Sequence, residues 1–464
     1  MKCTPTFILA GVVLVSNFIS SANFAETKIL VRSKEEIHDS VSLSFENAKD
    51  AREFSEDLDP EVHEWEPVVT FSADDVQIGS PLAPPSGPMI DPLNGNQWSL
   101  FSGHGGIDSF GTVDIDAERA WAITTGSPNI VVYVMDSGID TRDPDLAGRV
   151  TSGFDAYNPG QNPIDQAGHG THVASILGAI GGNNYGITGV VPGGLEIADG
   201  RFLNAQNQGD SDSALRVIRW MEEDMRRRRE INPNVKFLGS NSWGGDVKSD
   251  FLEQAMQRLA AYEYLPITSA GNHGGNNDNR DYYPCNFQLV ANTCVAASDR
   301  LDLKSSFSGF GAASVHLMAP GDQIYAIVPG SGSQGSYQSR YESKRGTSQA
   351  VPHVTGVAAL IWAANPNLTA SDVRQVLVQS VDRIPGAENF VLSGGRLNAY
   401  RAVLMATGQD PSAANRKLNA TTNDGGGCSL NAEEVQSSPN FALVIVFVMS
   451  LILLAILRFR SVRS

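Results

Sequence analysis

A chain of 464 residues with 41% hydrophobic and 18% charged side chains has enough apolar material for a large buried core and room for appended segments. Its formal net charge of -17 opposes phosphate backbones and anionic lipid headgroups, so no nucleic acid is expected as a partner. The one basic run, 226–229, follows Glu222, Glu223 and Asp224 at helical spacing, where i to i+4 pairing accounts for it.

At the N-terminus, Lys2 precedes an apolar stretch over 7–19, and small residues follow up to Ala22 and Ala25. That is the layout of a cleavable signal peptide over 1–25, too short in its apolar run for a membrane span. Residues 26–96 open with a strand-like run over 28–32, pass through a charged segment and end in a Pro-rich stretch over 81–92. They predict a small domain followed by an extended linker. From 97 to 408, apolar strand-like runs alternate with helical patterns, which predicts an α/β domain on a mostly parallel sheet covered by helices. Strands are expected over 129–135, 235–238, 264–268 and 289–297, and helices over 213–227, 250–262 and 369–381. Residues 409–440 form a polar, flexible linker carrying Gly425, Gly426, Gly427 and Cys428. The apolar run over 441–457 predicts one transmembrane helix, and the arginines within 458–464 predict a basic cytoplasmic tail. This ending is similar to the tripartite sorting signals of exported bacterial proteins, which implies processing at or near Cys428. A plain stop-transfer anchor behind a glycine linker suits it equally. Either reading places the chain at the cell envelope or surface.

The residues that carry chemistry lie between the two ends. Ligands of an open α/β sheet collect at the carboxyl ends of its strands, and the first central strand runs straight into Asp136-Ser137-Gly138. Taken alone, that tripeptide equally suits an aspartate that shapes a turn. His169-Gly170-Thr171-His172 opens an apolar helical pattern. Its two histidines have a metal-ligand look, but the Glu of a His-Glu-x-x-His zinc site is missing. Gly346-Thr347-Ser348-Gln349-Ala350 places a serine in the first turn of an apolar helix that reaches 363, with Pro352 early in it. Unpaired backbone N–H groups at such a helix start suit a developing oxyanion. A serine hydroxyl needs a base to take its proton and an acid to orient that base. Asp136, His169 and Ser348 supply all three groups. Cys3 leaves with the signal and Cys428 lies in the tail, so Cys285 and Cys294 are expected to pair as a disulfide in an exported domain.

With Asp136-Ser137-Gly138-Ile139-Asp140, His169-Gly170-Thr171-His172-Val173-Ala174 and Gly346-Thr347-Ser348-Gln349-Ala350 in that order, residues 97–405 resemble the subtilisin family of serine proteases. The resemblance implies a three-layer α/β fold, with helices on both faces of a mostly parallel sheet. It also implies a serine endopeptidase that acts on proteins or peptides through an acyl-enzyme, made as a precursor with 26–96 as its own propeptide and linker. His169 is then the base and His172 structural. In Ser269-Ala270-Gly271-Asn272 the family pattern makes Asn272 a side-chain donor to the oxyanion. Ser242-Trp243-Gly244-Gly245 resembles the edge segment that pairs with an extended substrate. The segment 280–284 falls where the family builds the floor of the primary pocket. There Asp281 would favour a basic residue, whereas Tyr282 would fill the pocket or favour small ones. Asp145 and the loop 183–190, with Asn184, match positions that supply oxygens to a structural Ca²⁺, although the loop is one residue shorter than in the best-known members. A non-catalytic binding protein on the same fold and an esterase are the competing classes. The triad residues and Asn272 are all present, and no Gly-x-Ser-x-Gly elbow surrounds Ser348.

Overall fold

The computed structural model describes residues 27–33, 40–45, 48–56, 58, 63–73, 91–101, 113–333 and 336–412. The expected signal peptide, the linker beyond 412, the transmembrane helix at 441–457 and the basic tail lie outside them. Among the described residues no helix is long and apolar enough to cross a membrane.

The N-terminal part begins with β1 (Thr27–Ser33), β2 (Ser40–Phe45), α1 (Ala48–Glu56) and β3 (His63–Pro67), in which β1 pairs antiparallel with both β2 and β3. Alternation along β1 sends Ile29 and Val31 toward Ala51 of α1, which gives this part a small core of its own. A short strand, β4 (Thr70–Ala73), then leaves this sheet.

Beyond residue 90 come α2 (Ala117–Trp121), β5 (Ile130–Asp136), β6 (Val150–Asp155), α3 (His169–Gly178), β7 (Glu196–Arg201), β8 (Gln208–Asp210) and α4 (Ser211–Ile231). They are followed by β9 (Lys236–Asn241), β10 (Trp243–Gly244), α5 (Asp250–Arg258), β11 (Leu265–Ser269), β12 (Thr293–Ser298), β13 (Leu317–Pro320), β14 (Ile324–Ser331) and β15 (Gln338–Lys344). The chain continues through α6 (Thr347–Ala364), α7 (Ala370–Gln379), β16 (Asp382–Arg383), β17 (Gly395–Arg396) and α8 (Ala399–Ala406). Nine strands form one sheet in the order β16-β17-β13-β12-β11-β9-β5-β7-β6, parallel throughout except for the edge pair β16 and β17.

Strand β5 shows why there are three layers. All seven of its residues are buried, so its apolar run is continuous rather than alternating, as expected where helices cover both faces. Ile130, Val132 and Val134 pack into one core with Val173 of α3 and Val354 of α6. Val131, Tyr133 and Met135 pack into the other with Ile218 of α4 and Leu252 of α5.

Several boundaries differ from the sequence expectation, each for a local reason. The helix expected over 213–227 spans Ser211–Ile231. A capping box sets its start, with Ser213 N donating to Asp210 Oδ1 (2.8 Å) and Asp210 N donating to Ser213 Oγ (3.1 Å). Its basic turn continues the helix because Arg227 and Arg228 both pair with Asp224 and Arg226 pairs with Glu230. The strand expected from 289 begins only at Thr293. Ala291 has φ +61° there, and the Asn292 amide donates to the carbonyls of Pro284, Cys285 and Phe287, which holds 289–292 as a turn. The helix expected over 250–262 becomes a 3-10 turn after Arg258 and stops at Glu263, φ +56°.

Two buried histidines make stability depend on pH. His353 lies inside α6, with Nδ1 on Gln349 O (2.7 Å) and Nε2 on Ser99 Oγ (2.9 Å), and burial holds its pKa down to about 4. His316 receives the Cys294 N–H on Nδ1 beside Arg374, and burial holds its pKa down to about 3. A depressed histidine means that the folded state binds fewer protons than the unfolded one. Its stabilising contribution is complete above the ordinary value of 6.5 and is lost as pH falls toward 4. Urea unfolding is expected to show a loss of roughly 3 kcal/mol from His353 between pH 7 and pH 4. His353→Gln should flatten that slope; equal slopes in the two proteins would remove His353 as its source.

Candidate active site

The carboxyl ends of β5, β9 and β11 bring Asp136, Ser242 and Asn272 to one edge of the sheet, where α3 and α6 begin. Asp136 closes β5 and is fully buried. Its Oδ1 accepts from Ser137 N (2.7 Å) and lies 2.7 Å from His169 Nδ1. His169 is the first residue of α3 and is also fully buried. No side chain of the residue before the helix caps it; Asp165 fastens the turn instead. Asp165 Oδ1 accepts from Ala167 N, Gly168 N and Ser137 Oγ, and its Oδ2 accepts from Thr171 N and Thr171 Oγ1. Ser137 Oγ in turn accepts from Gly170 N (2.9 Å), which binds the strand end to the helix start. A Cβ on Gly170 would lie 2.2 Å from Gly138 O, so only glycine lets the two segments approach this closely. Asp165 and Ser137 were missed in the sequence, although an acid a few residues ahead of an apolar helix is itself a capping signal.

Behind this pair lies Asp199 of β7, fully enclosed, with Oδ2 accepting from Ile139 N (2.9 Å). Burial pushes its carboxyl well above the usual range, and the neighbouring carboxylates of Asp165, Asp136 and Asp155 push the same way. Asp199 Oδ2 positions the turn after Asp136 through the Ile139 N–H.

Ser348 is the second residue of α6 and is fully buried. Pro352 has no N–H to give the Ser348 carbonyl four residues earlier. Ser242 Oγ donates to that carbonyl instead (2.9 Å), and Ser348 Oγ donates to Ser242 O (2.9 Å). The proline therefore ties the serine to the segment after β9. Asn272 follows β11, and its Oδ1 accepts from Thr347 N (2.9 Å) and Thr347 Oγ1 (3.2 Å). These donors settle which way the amide faces. Its Nδ2 is buried and has no acceptor among the described residues.

The two residues named for the primary pocket stand in different surroundings. Asp281 is exposed, and its oxygens accept from Tyr283 Oη (2.9 Å) and Asn286 Nδ2 (3.0 Å). Tyr282 is only 7% exposed. Its ring closes against the bare Cα atoms of Gly244 and Gly271, where an added Cβ would lie 2.3 and 2.9 Å from ring atoms, and His273 packs beside it with ring centroids 5.3 Å apart. Tyr282 is thus enclosed between the two glycines, and Asp281 stands at the surface. Cys285 and Cys294 form a disulfide, and Gly245 and Tyr283 exchange backbone hydrogen bonds of 2.9 Å, so the 282–285 segment is held to the β10 segment.

His172, the other histidine of the pair, is buried in α3 with Nε2 on Glu342 O (3.1 Å). Asp145 is fully buried, and its oxygens accept from Asn183 Nδ2 (2.9 Å) and Ile187 N (2.8 Å). Burial and the nearby carboxylates of Asp143 and Asp91 raise its pKa to about 7. Asn184 is exposed, and its backbone N–H donates to Asp91 Oδ1 (3.0 Å). Asp91, which the sequence did not single out, grips the same loop through Gly182 N and Thr188 Oγ1. Among the described residues no three His, Cys, Asp or Glu side chains gather as a metal group. The buried carboxylates of Asp145 and Asp91, which both bind the loop 182–188, nonetheless have the charge and hardness that suit Ca²⁺.

Strand β4 enters the same edge from the N-terminal part. It lies between β8 and β10, antiparallel to both, with Phe71 opposite Gly209 and Ser72 opposite Gly244.

Residues 127–419 match the Subtilase family. The chain belongs to that family. It is 34% identical to thermitase of Thermoactinomyces vulgaris over 294 residues, which span 63% of this chain and 95% of that one. It is 30% identical to subtilisin DY of Bacillus licheniformis over 294 residues, 63% of this chain and 97% of the relative. Its fold also matches a protease structure from Pseudoalteromonas arctica, with a TM-score of 0.56 and 24% identity over 68% of this chain and 99% of that one. This subtilase is a subtilisin-type serine endopeptidase with the three-layer, mostly parallel fold of its family.

Proposed function

We propose that Asp136, His169 and Ser348 are the catalytic triad of this endopeptidase and that Asn272 donates to the oxyanion. The observation that carries the reading is the buried 2.7 Å contact between Asp136 Oδ1 and His169 Nδ1, set at the sheet edge where α3 and α6 begin. Asp136 holds the imidazole so that Nε2 receives the serine proton. Ser348 Oγ leaves the Ser242 carbonyl by rotation about one side-chain bond and attacks the substrate carbonyl. The negative oxygen that forms is met by Asn272 Nδ2 and by the Ser348 backbone N–H, which lies in the first helical turn, where N–H groups have no intrahelical acceptor. His169 then passes its proton to the leaving amine, and water releases the acyl group. An active-site-directed phosphonyl fluoride should place one adduct on Ser348, located by peptide mass spectrometry; an adduct elsewhere, or none on the folded active protein, would refute the assignment.

Asn272→Leu is expected to lower kcat by about 100- to 1000-fold with KM little changed, the size of loss that removing the corresponding donor causes in a subtilisin. A change confined to KM would move Asn272 from the oxyanion to ground-state binding.

The chain is also read as an exported precursor. Support comes from the signal-like N-terminus and from the way β4, Glu66 and Arg32 dock on the catalytic part. Strand β4 fills the groove between β8 and β10 as an extended substrate would. Glu66 holds the start of α5 by accepting from Phe251 N (3.0 Å) and Ser249 Oγ. Arg32 reaches Gln254 Oε1 and stacks on Phe251. The membrane anchor at 441–457 remains a reading of the sequence. Asp145 and Asp91 are the residues that would hold a structural Ca²⁺, with Asn184 on the loop that both of them bind. Chelation is then expected to lower Tm by several degrees and calcium to restore it, whereas an unchanged Tm would remove the ion from the account.

A further inference from the structure

The first turn of α6 opens with three polar side chains, and two of them are bonded. Thr347 Oγ1 donates to Asn272 Oδ1 (3.2 Å), and Ser348 Oγ donates to Ser242 O (2.9 Å). Gln349 is fully buried, yet neither its Oε1 nor its Nε2 has a hydrogen-bond partner among the described residues. Its backbone, by contrast, is bonded on both sides. Gln349 N donates to Gly346 O (3.1 Å), and Gln349 O accepts from His353 Nδ1 (2.7 Å). Enclosing an unpaired amide opposes folding, so such groups are few in native proteins. One kept beside a nucleophile is placed for a polar molecule that enters during the reaction.

The amide also stands on the side of the base. Gly356 follows Gln349 by seven residues, two turns along the same side of α6. A Cβ on Gly356 would lie 2.6 Å from Val190, whose N–H donates to Ile176 O of α3 (2.9 Å). That side of α6 is therefore turned toward α3, the helix that opens with His169. Strand β15 draws the two helix starts together. Glu342 O meets His172 Nε2 (3.1 Å), and Lys344 Nζ reaches the carbonyl of Gly168, the residue before His169 (3.4 Å).

We infer that Gln349 holds the water that hydrolyses the acyl-enzyme, an assignment that rests on the triad reading above. Once the leaving amine has gone, water takes its place beside His169. One of its O–H groups points to His169 Nε2 and the other to Gln349 Oε1, which aims an oxygen lone pair at the acyl carbon. The water oxygen bonds to that carbon while its proton passes to His169. The C–O bond to Ser348 then breaks, His169 returns the proton to Ser348 Oγ, and the carboxylic acid product leaves.

The test follows hydrolysis of a p-nitrophenyl ester of a blocked amino acid by enzyme produced from the full-length chain. Acylation by such an ester is fast, so attack by water limits kcat, and glycinamide is added as a competing nucleophile. Rates are counted per Ser348 titrated by the phosphonyl fluoride, so a partly unfolded variant does not mimic the effect. Gln349→Leu is expected to lower kcat about 10-fold, the size of one lost hydrogen bond, with KM falling by the same factor. The share of acyl groups transferred to glycinamide should rise. Gln349→Glu keeps an acceptor oxygen and should recover most of the lost kcat. If kcat/KM falls as far as kcat, or the share on glycinamide does not move, Gln349 only shapes the helix start; this inference falls and the triad stands. Should Gln349→Leu leave no titratable serine, Gln349→Ala, which only removes atoms, takes its place with the same expected outcome. A wild-type enzyme that takes no adduct on Ser348 overturns the triad reading and this inference with it.

Discussion

Ser348→Ala is expected to lower kcat by about a million-fold, the scale on which subtilisin responds to loss of its serine. The methyl group keeps the helix start and the packing, but it removes the atom that forms the acyl bond and the donor to Ser242 O. Ser242 Oγ still holds the Ser348 carbonyl, so the fold should survive. The same variant reports on maturation. If the precursor processes itself, the uncut chain should accumulate, with β4 still seated between β8 and β10. Activity lost without precursor build-up would assign the cut to another protease. Hydrolysis retained above about a thousandth of wild type would show that a different residue is the nucleophile.

Asp136→Asn is the second large effect, a fall in kcat/KM of about ten-thousand-fold near neutral pH with the fold intact. Both contacts of Asp136 Oδ1 are to N–H donors, Ser137 N and His169 Nδ1. An amide oxygen can still take the Ser137 bond. The amide nitrogen, however, can donate to His169 Nδ1 and so leave the proton on Nε2, where it blocks transfer from Ser348. Neighbouring Asp199 sharpens the test. Burial and the surrounding carboxylates raise its pKa, and an amide oxygen can take over its bond from Ile139 N, so Asp199→Asn should change the rate far less, although it lies on the strand beside Asp136. A folded Asp136→Asn enzyme with nearly full activity would remove Asp136 from the triad.

Much of this site was legible in the sequence because its groups sit where local patterns break. The apolar run of β5 ends at Asp136, the apolar helix α3 begins at His169, and α6 begins around Ser348. Such edges are local properties of a chain, readable from periodicity and from the chemistry of helix ends. Strand β7 was not legible, since Glu196, Asp199 and Arg201 interrupt any apolar run and only the neighbouring strands make it a sheet element.

The tertiary structure decided what depends on partners far apart in the chain. Thr347 settles which way the Asn272 amide faces from 75 residues away. Nothing local separates Asp281 from Tyr282, yet the bare Cα atoms of Gly244 and Gly271 enclose the tyrosine and leave the aspartate at the surface. Nothing local to Phe71 says that it belongs against Trp243, yet that contact places the N-terminal part in the groove. Sequence by itself determined the candidate groups and the faces of the elements that carry them, because periodicity and capping act within a few residues. Only the folded chain decided their orientation and access, because these come from hydrogen bonds and packing between segments that neither length nor pattern brings together.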